Sequence, residues 1–306
     1  MPGDSFRGIL PPLTEEQRRV ERDLRASVKQ LAETIGERNL FCYKQLVAAA
    51  EYIHGMLASF GYEVRRHRYQ VSGRTCENLE AEIRGTDKPA DILLIGAHYD
   101  SVQGSPGAND NATGVAALLA LAQAFAGAKP SLTVRFVAFT NEEPPFFQSR
   151  HMGSRVYAQR CHTQGEKITL MLSLETIGYY SDEPGSQRYP FPLSFFYPST
   201  GNFIAFVSNM ENAPWIRQLL TVFRRHAQIP SEGGAVWEWI PGVAWSDHWS
   251  FWKEGYPAVM VTDTAPNRYP HYHTAADTPD KIDFARMARV VSGLRRIIEE
   301  VAGRSS

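Results

Sequence analysis

DILLIGAHYDSVQGSPGANDNATGVAALLALAQAF, residues 91–125, carries a strand, a polar loop and a helix in one stretch. Residues 91–97 are a short apolar run suited to a central strand, and residues 112–125 are apolar enough for a buried helix. The loop between them is built on Gly, Asn and Asp, the residues that bond their own backbone or tolerate unusual dihedrals. Working outward, the same alternation continues. Residues 132–140 (LTVRFVAFT), 168–174 (ITLMLSL) and 256–261 read as further buried strands, with 195–197 and 203–207 as shorter strand candidates. Residues 214–227 read as a helix with Pro214 in its first turn. A last helix follows Thr278-Pro279 with an apolar stripe of Phe284, Met287, Val291, Leu294, Ile298 and Val301. Upstream, Thr14-Glu15-Glu16-Gln17 fits a capping box that opens a helix towards Ile35-Gly36. A second helix spans about 43–60, with Gly61 just past its end. Two strands over 62–71 and 79–84 flank the Ser72-Gly73 turn. Interleaved strands and helices predict one α/β domain over residues 1–306, with an irregular arm over 1–12.

Composition narrows the function classes. Of 306 residues, 43% are hydrophobic and 21% charged, which argues against a disordered chain. Lys+Arg 32 against Asp+Glu 33 gives no electrostatic reason to expect nucleic acid or a membrane as partner. No apolar run approaches the roughly 20 residues of a membrane span. No leader is readable at the N-terminus, so the expected location is cytoplasmic. Cys42, Cys76 and Cys161 form no CxxC pair and read as buried or half-buried thiols. A GxxxxGK phosphate loop is missing, which leaves nucleotide hydrolysis without support.

In open α/β sheets, ligands bind beyond the carboxyl ends of the strands. His98, Tyr99 and Asp100 follow the first strand; Asn141, Glu142 and Glu143 follow the second; Glu175 follows the third; Asp263 and then His271–Thr278 follow the last. So many carboxylates and imidazoles at one sheet end would repel one another without cations. Two imidazoles with surplus carboxylates suit two Zn2+ ions, with Mn2+ or Co2+ as alternatives. Asp110 is the best bridge between the ions, because Asn109 and Asn111 on either side can bond the loop backbone.

Taken in order, HYDS, GANDNATGVAALL, FVAFTNEE, SLETIG, SDHWSFW and YHTAADTPDKID resemble the di-zinc exopeptidase family of bacterial leucyl aminopeptidases, glutamate carboxypeptidase and glutaminyl cyclase. The resemblance covers roughly residues 75–300. It implies a single α/β domain, with a mixed, mainly parallel β-sheet sandwiched between helices. It also implies a metal-dependent exopeptidase, foremost an aminopeptidase, that hydrolyses the N-terminal bond of a peptide through a water activated between the ions. Carried over residue by residue, His98 and Glu175 resemble terminal ligands of one zinc, Glu143 and His273 those of the other, and Asp110 the bridge. Glu142 resembles the general base, and Asp100 the carboxylate that orients His98. Asp277 is expected to support the surroundings of His273.

Two departures stand out. Glu175 occupies a place where many members carry Asp. Residues 144–151 (PPFFQSRH) replace a shorter Gly-Leu turn, which puts Phe147 on the expected rim of the site. Trp245 and Asp247 are further expected substrate contacts, though Asp247-His248 reads equally well as a cap of residues 248–254. Trp237, Trp239 and Trp245 read as core or pocket-wall residues. His54, His67, His151, His162 and His226 read as packing or surface residues. A glutaminyl cyclase on this scaffold is disfavoured by the intact Asp110, Glu142 and Glu143, and an inactive binding domain by the full ligand set. A dipeptidase or carboxypeptidase stays open. The latter needs a cationic clamp, for which Arg150, Arg155 and Arg268 are candidates.

Overall fold

The computed structural model describes residues 2–303. Its strands are β1 (Arg65–Val71), β2 (Arg74–Ile83), β3 (Lys88–His98), β4 (Leu132–Phe139), β5 (Lys167–Glu175), β6 (Ile204–Asn209), β7 (Ser231–Val236) and β8 (Ala258–Thr262). They form one sheet in the order β1-β2-β4-β3-β5-β8-β6-β7. The central neighbours β4, β3, β5 and β8 run parallel. The β1–β2, β2–β4 and β6–β8 pairs are antiparallel, and β6–β7 is parallel. The helices are α1 (Glu15–Lys29), α2 (Tyr43–Ser59), α3 (Gly114–Phe125), α4 (Gly153–Thr163), α5 (Ala213–His226), α6 (His248–Trp252), α7 (Ala265–Arg268) and α8 (Phe284–Val301). This is the expected single-domain α/β architecture.

Strand alternation sorts the core into two layers. On β3, Leu93, Ile95 and Ala97 enter the larger core with α1, α2, α3, α5 and α8, while Ile92 and Leu94 enter a smaller one with Tyr157 of α4 and Phe251 of α6. Burial on both faces is why the parallel strands read as continuous apolar runs. Thr14 caps α1 through the expected capping box. Asp283 caps α8, whose stripe from Phe284 to Ile298 is buried.

Two expectations are corrected. Residues 195–197 are not a strand: between Pro192 and Pro198, Leu193–Phe195 form a single 3-10 turn with Phe195 and Phe196 exposed. Trp237 and Trp239 are not core residues; they stack on each other at 6.0 Å on the surface. Both α4 and β7 escaped the sequence reading. Among the described residues no helix is long and apolar enough to cross a membrane.

Candidate metal centre

Four adjacent parallel strands end on the same side of the sheet, and each delivers a polar segment there. His98 is the last residue of β3, and Glu175 is the last residue of β5. Asn141-Glu142-Glu143 follow β4. Asp263 follows β8, and the chain then passes through α7 to His273. Asp110 comes from the irregular turn Ala108–Thr113, where Asp110 and Asn111 leave helical geometry. Gly107 makes that turn feasible: its φ is +59°, and a Cβ there would lie 2.2 Å from the Asp110 carbonyl oxygen.

The two oxygens of Asp110 face two different partners. Oδ1 lies 3.4 Å from His98 Nε2, and Oδ2 lies 3.0 Å from His273 Nε2. His98 Nε2 is also 3.1 Å from Glu175 Oε2, and His273 Nε2 is 3.2 Å from Glu143 Oε2. Two sets therefore share one carboxylate: His98 with Glu175, and His273 with Glu143. Ligand atoms of His98, Asp110 and Glu143 all lie within 4.8 Å of one another. His271 stays outside, edge-on to Tyr269. Glu142 Oε2 approaches His98 Nε2 to 3.9 Å.

The surroundings hold these groups rigidly. Both oxygens of Asp100 accept backbone N–H bonds, from Glu142 and Glu143, at 3.1 Å each. Its carboxylate stands 3.6 Å from His98 Nδ1, so it anchors the Glu142-Glu143 loop more closely than it orients the imidazole. Asp277 accepts from the amides of Asn109 and Asp110 and from the Tyr269 hydroxyl. Its bonds therefore hold the Asp110 loop, whereas His273 was the expected neighbour. The side chains of Asn109 and Asn111 mostly tie the Asp110 loop to the segment after β5 instead of bonding the loop itself: they accept from the amides of Gly178 and Thr176, Asn111 donates to the Leu174 carbonyl, and only the Gly114 amide bond to Asn111 is local. The Ser246 hydroxyl donates to Glu175 Oε2 at 2.7 Å, and Tyr272 stacks on His273 at 3.9 Å. Neither Ser246 nor Tyr272 was singled out from the sequence, although both adjoin residues that were. Asn141, Thr176 and His273 hold left-handed backbone at φ 57°, 44° and 58°. Such non-glycine geometry costs energy and persists only where the surroundings enforce it.

The electrostatics point to absent positive charge. Burial, then the Asp110 charge, raises Glu143 to about 8. Burial also lifts Glu142 well above the ordinary carboxylate range against the pull of His98, and lifts Glu175 as well. Burial would lower the His98 pKa, but Glu175 and Glu142 outweigh it and raise that imidazole well above its usual value. His273 Nε2 and Glu143 Oε1 are buried without an aligned hydrogen bond. Close approach without hydrogen-bond alignment suits groups arranged around a cation, and the imidazole–carboxylate donor set fits zinc.

The expected substrate contacts divide. Trp245 lines an open cavity of about 100 Å3 beside the centre, together with Glu175 and Tyr272. Asp247 is fully buried and raised to about 7 by burial; it does not line that cavity, and it stands at the N-cap of α6 without a side-chain capping bond. Phe147 is half-buried on its own segment and does not line the cavity either. His248 is buried, bonds the Val243 carbonyl and is lowered to about 4 by burial, which keeps it neutral.

The sequence profile of Peptidase family M28 matches residues 78–298. The chain is 38% identical over 285 residues to YfbL of Escherichia coli, described as uncharacterized, covering 89% of this chain and 85% of that protein. It is 25% identical over 243 residues to the probable aminopeptidase YDR415C of Saccharomyces cerevisiae, covering 75% of this chain and 58% of the relative. This chain thus spans little more than half the length of that relative. Among solved structures, the zinc aminopeptidase BSAP of Bacillus subtilis superposes with a TM-score of 0.74 at 14% identity over 98% of both chains. The glutaminyl cyclase of Fimbriiglobus ruber gives 0.67 at 22% identity over 95% of this chain and 96% of that one. These two likenesses are of fold. The profile match takes in every ligand candidate from His98 to His273, and on that match the chain belongs to peptidase family M28 and is a hydrolase of the metallopeptidase kind.

Proposed function

We propose that this metallopeptidase is an aminopeptidase that holds two zinc ions, one with His98 and Glu175, the other with His273 and Glu143, with Asp110 between them. The observation that carries this reading is the division of the two Asp110 oxygens between His98 and His273 at 3.4 and 3.0 Å. The cations would supply Lewis acidity, which acidifies a water and polarises the peptide carbonyl.

The chain's own residues do the rest. Glu142 takes the proton from the attacking water and passes it to the departing amine. Burial raises its pKa, which makes it a stronger base than an exposed carboxylate. Asp100 fixes Glu142 through its backbone amide, so the base keeps its distance from the reacting bond. The free α-amine of the substrate is held on the carboxylate side, where Glu175 forms the edge of the cavity.

The cavity chemistry favours an amine over a carboxylate. Among the described residues no Lys or Arg lines it. Of the clamp candidates, Arg155 pairs with Glu254, Arg268 donates to Gln187 and the Phe203 carbonyl, and Arg150 is exposed. Names of relatives and fold neighbours, zinc aminopeptidases among them, support the same reading. A panel of aminoacyl-anilides, N-blocked peptides and an N-terminal-Gln peptide tests it. Chelator-sensitive cleavage of the unblocked anilides is expected. Cleavage confined to blocked peptides, or pyroglutamate formation alone, would contradict it.

A further inference from the structure

The cavity beside the metal centre has aromatic walls and a carboxylate that no described residue engages by hydrogen bond. Tyr189, Tyr197, Phe203 and Trp245 line it, and Tyr189 and Tyr197 stack at 5.7 Å. Glu232 of the edge strand β7 lines it too. Strand alternation explains its placement. A Cβ on Gly233 would lie 2.3 Å from Leu220 of α5, so that position faces the helix, while Glu232 and Gly234 face away from it. A Cβ on Gly234 would come within 3.1 Å of the Tyr197 hydroxyl oxygen, which shows how closely this face of β7 meets the ring. Glu232 shares the cavity lining with Tyr189 and Tyr197.

Among the described residues its ion-pair neighbour is Arg224, at 3.9 Å. That guanidinium is already committed to the carbonyls of Pro2, Gly3 and Ser231 and to the Ser231 hydroxyl. Burial pushes the Glu232 carboxyl up, with Arg224 and Arg7 among the charges that only partly offset it. A cation brought into the cavity would relieve that cost.

We propose that Glu232 is a specificity residue: the cavity takes the side chain of the substrate's N-terminal residue and prefers Lys or Arg, whose charge meets Glu232. The argument rests on the aminopeptidase reading above. Long basic side chains fit because their methylenes cover apolar surface while their charge stays with polar partners. Aromatic faces add attraction for the cation, and a charge-assisted hydrogen bond to the carboxylate supplies the discrimination.

The test compares kcat/KM for lysyl- and norleucyl-anilides, which share a stem and differ in the ammonium. The wild-type enzyme should favour lysine, and Glu232→Gln should lower the lysine-to-norleucine ratio about 10- to 100-fold, the worth of one charged hydrogen bond. Glu232→Asp should keep part of the preference, and zinc content checks that both variants are folded. A wild-type preference for norleucine, or a ratio that Glu232→Gln leaves in place, would overturn the assignment. If the wild type cleaves no unblocked anilide, the aminopeptidase reading fails first and this one falls with it.

Discussion

Two groups of buried acids lie on the same sheet, and their chemistry runs in opposite directions. In one, across β1, β2, β4 and α4, Glu80 is met by Arg65, His67, Arg135 and the Tyr157 hydroxyl. Arg135 also binds Glu82 and Glu166. Burial works against the charge, yet these partners hold Glu80 down to about 2. In the other, at the strand ends, Glu142, Glu143, Glu175 and Asp247 are all raised. The buried guanidinium of Arg38 gives its donors to backbone carbonyls, including those of Tyr99, Pro106 and Gly107. The first cluster brings its own cations and is structural. The second sets only the imidazoles of His98 and His273 against its carboxylates, and that imbalance marks it as a place for metal.

The sharpest way to break this contrast is to remove the base without the ligands. Glu142→Gln should lower kcat by about 10³-fold or more while zinc content, read by elemental analysis, stays at the wild-type level. Loss of zinc together with activity would make Glu142 a ligand instead.

In the self-compensated cluster the expectation is reversed: stability falls and zinc content holds. Glu80→Gln should cost about 3 kcal/mol at neutral pH in denaturant unfolding. Because the folded-state pKa lies below the ordinary 4.5, at about 2, this stabilisation is complete above pH 4.5 and disappears as pH falls towards 2. The gap between wild type and Glu80→Gln should close over that window. A gap that stays constant with pH would show that packing, not charge, sets the cost.

The smallest effect belongs to the support of Glu175. Ser246→Ala removes one hydrogen bond from that carboxylate and should weaken zinc binding about tenfold. An unchanged affinity would show that the longer Glu side chain holds its position alone.

Much of this was readable before any coordinates. The central strands are apolar on both faces, so the runs ending at His98, Phe139, Glu175 and Thr262 announce themselves, and the residues just beyond them had to meet. What escaped has physical reasons. The buried face of α4 is only Gly153, Ser154, Tyr157, Ala158 and Cys161, too sparse for an apolar period. The edge strand β7 reads SEGGAV, where Gly233 is demanded by α5 and leaves no strand signature. The role of Asp277 depends on which loops the topology brings together. Nearness in sequence suggested His273, and the fold joined it to Asn109 and Asp110.

The central claim is that the strand-end cluster is short of positive charge and is completed by two cations. Calorimetric titration of metal-free protein with Zn2+, repeated in buffers of different ionisation enthalpy, tests it directly. The account predicts two equivalents bound, with protons released as the raised carboxyls and imidazoles ionise or deprotonate to become ligands. A single equivalent, or binding without proton release, would contradict it.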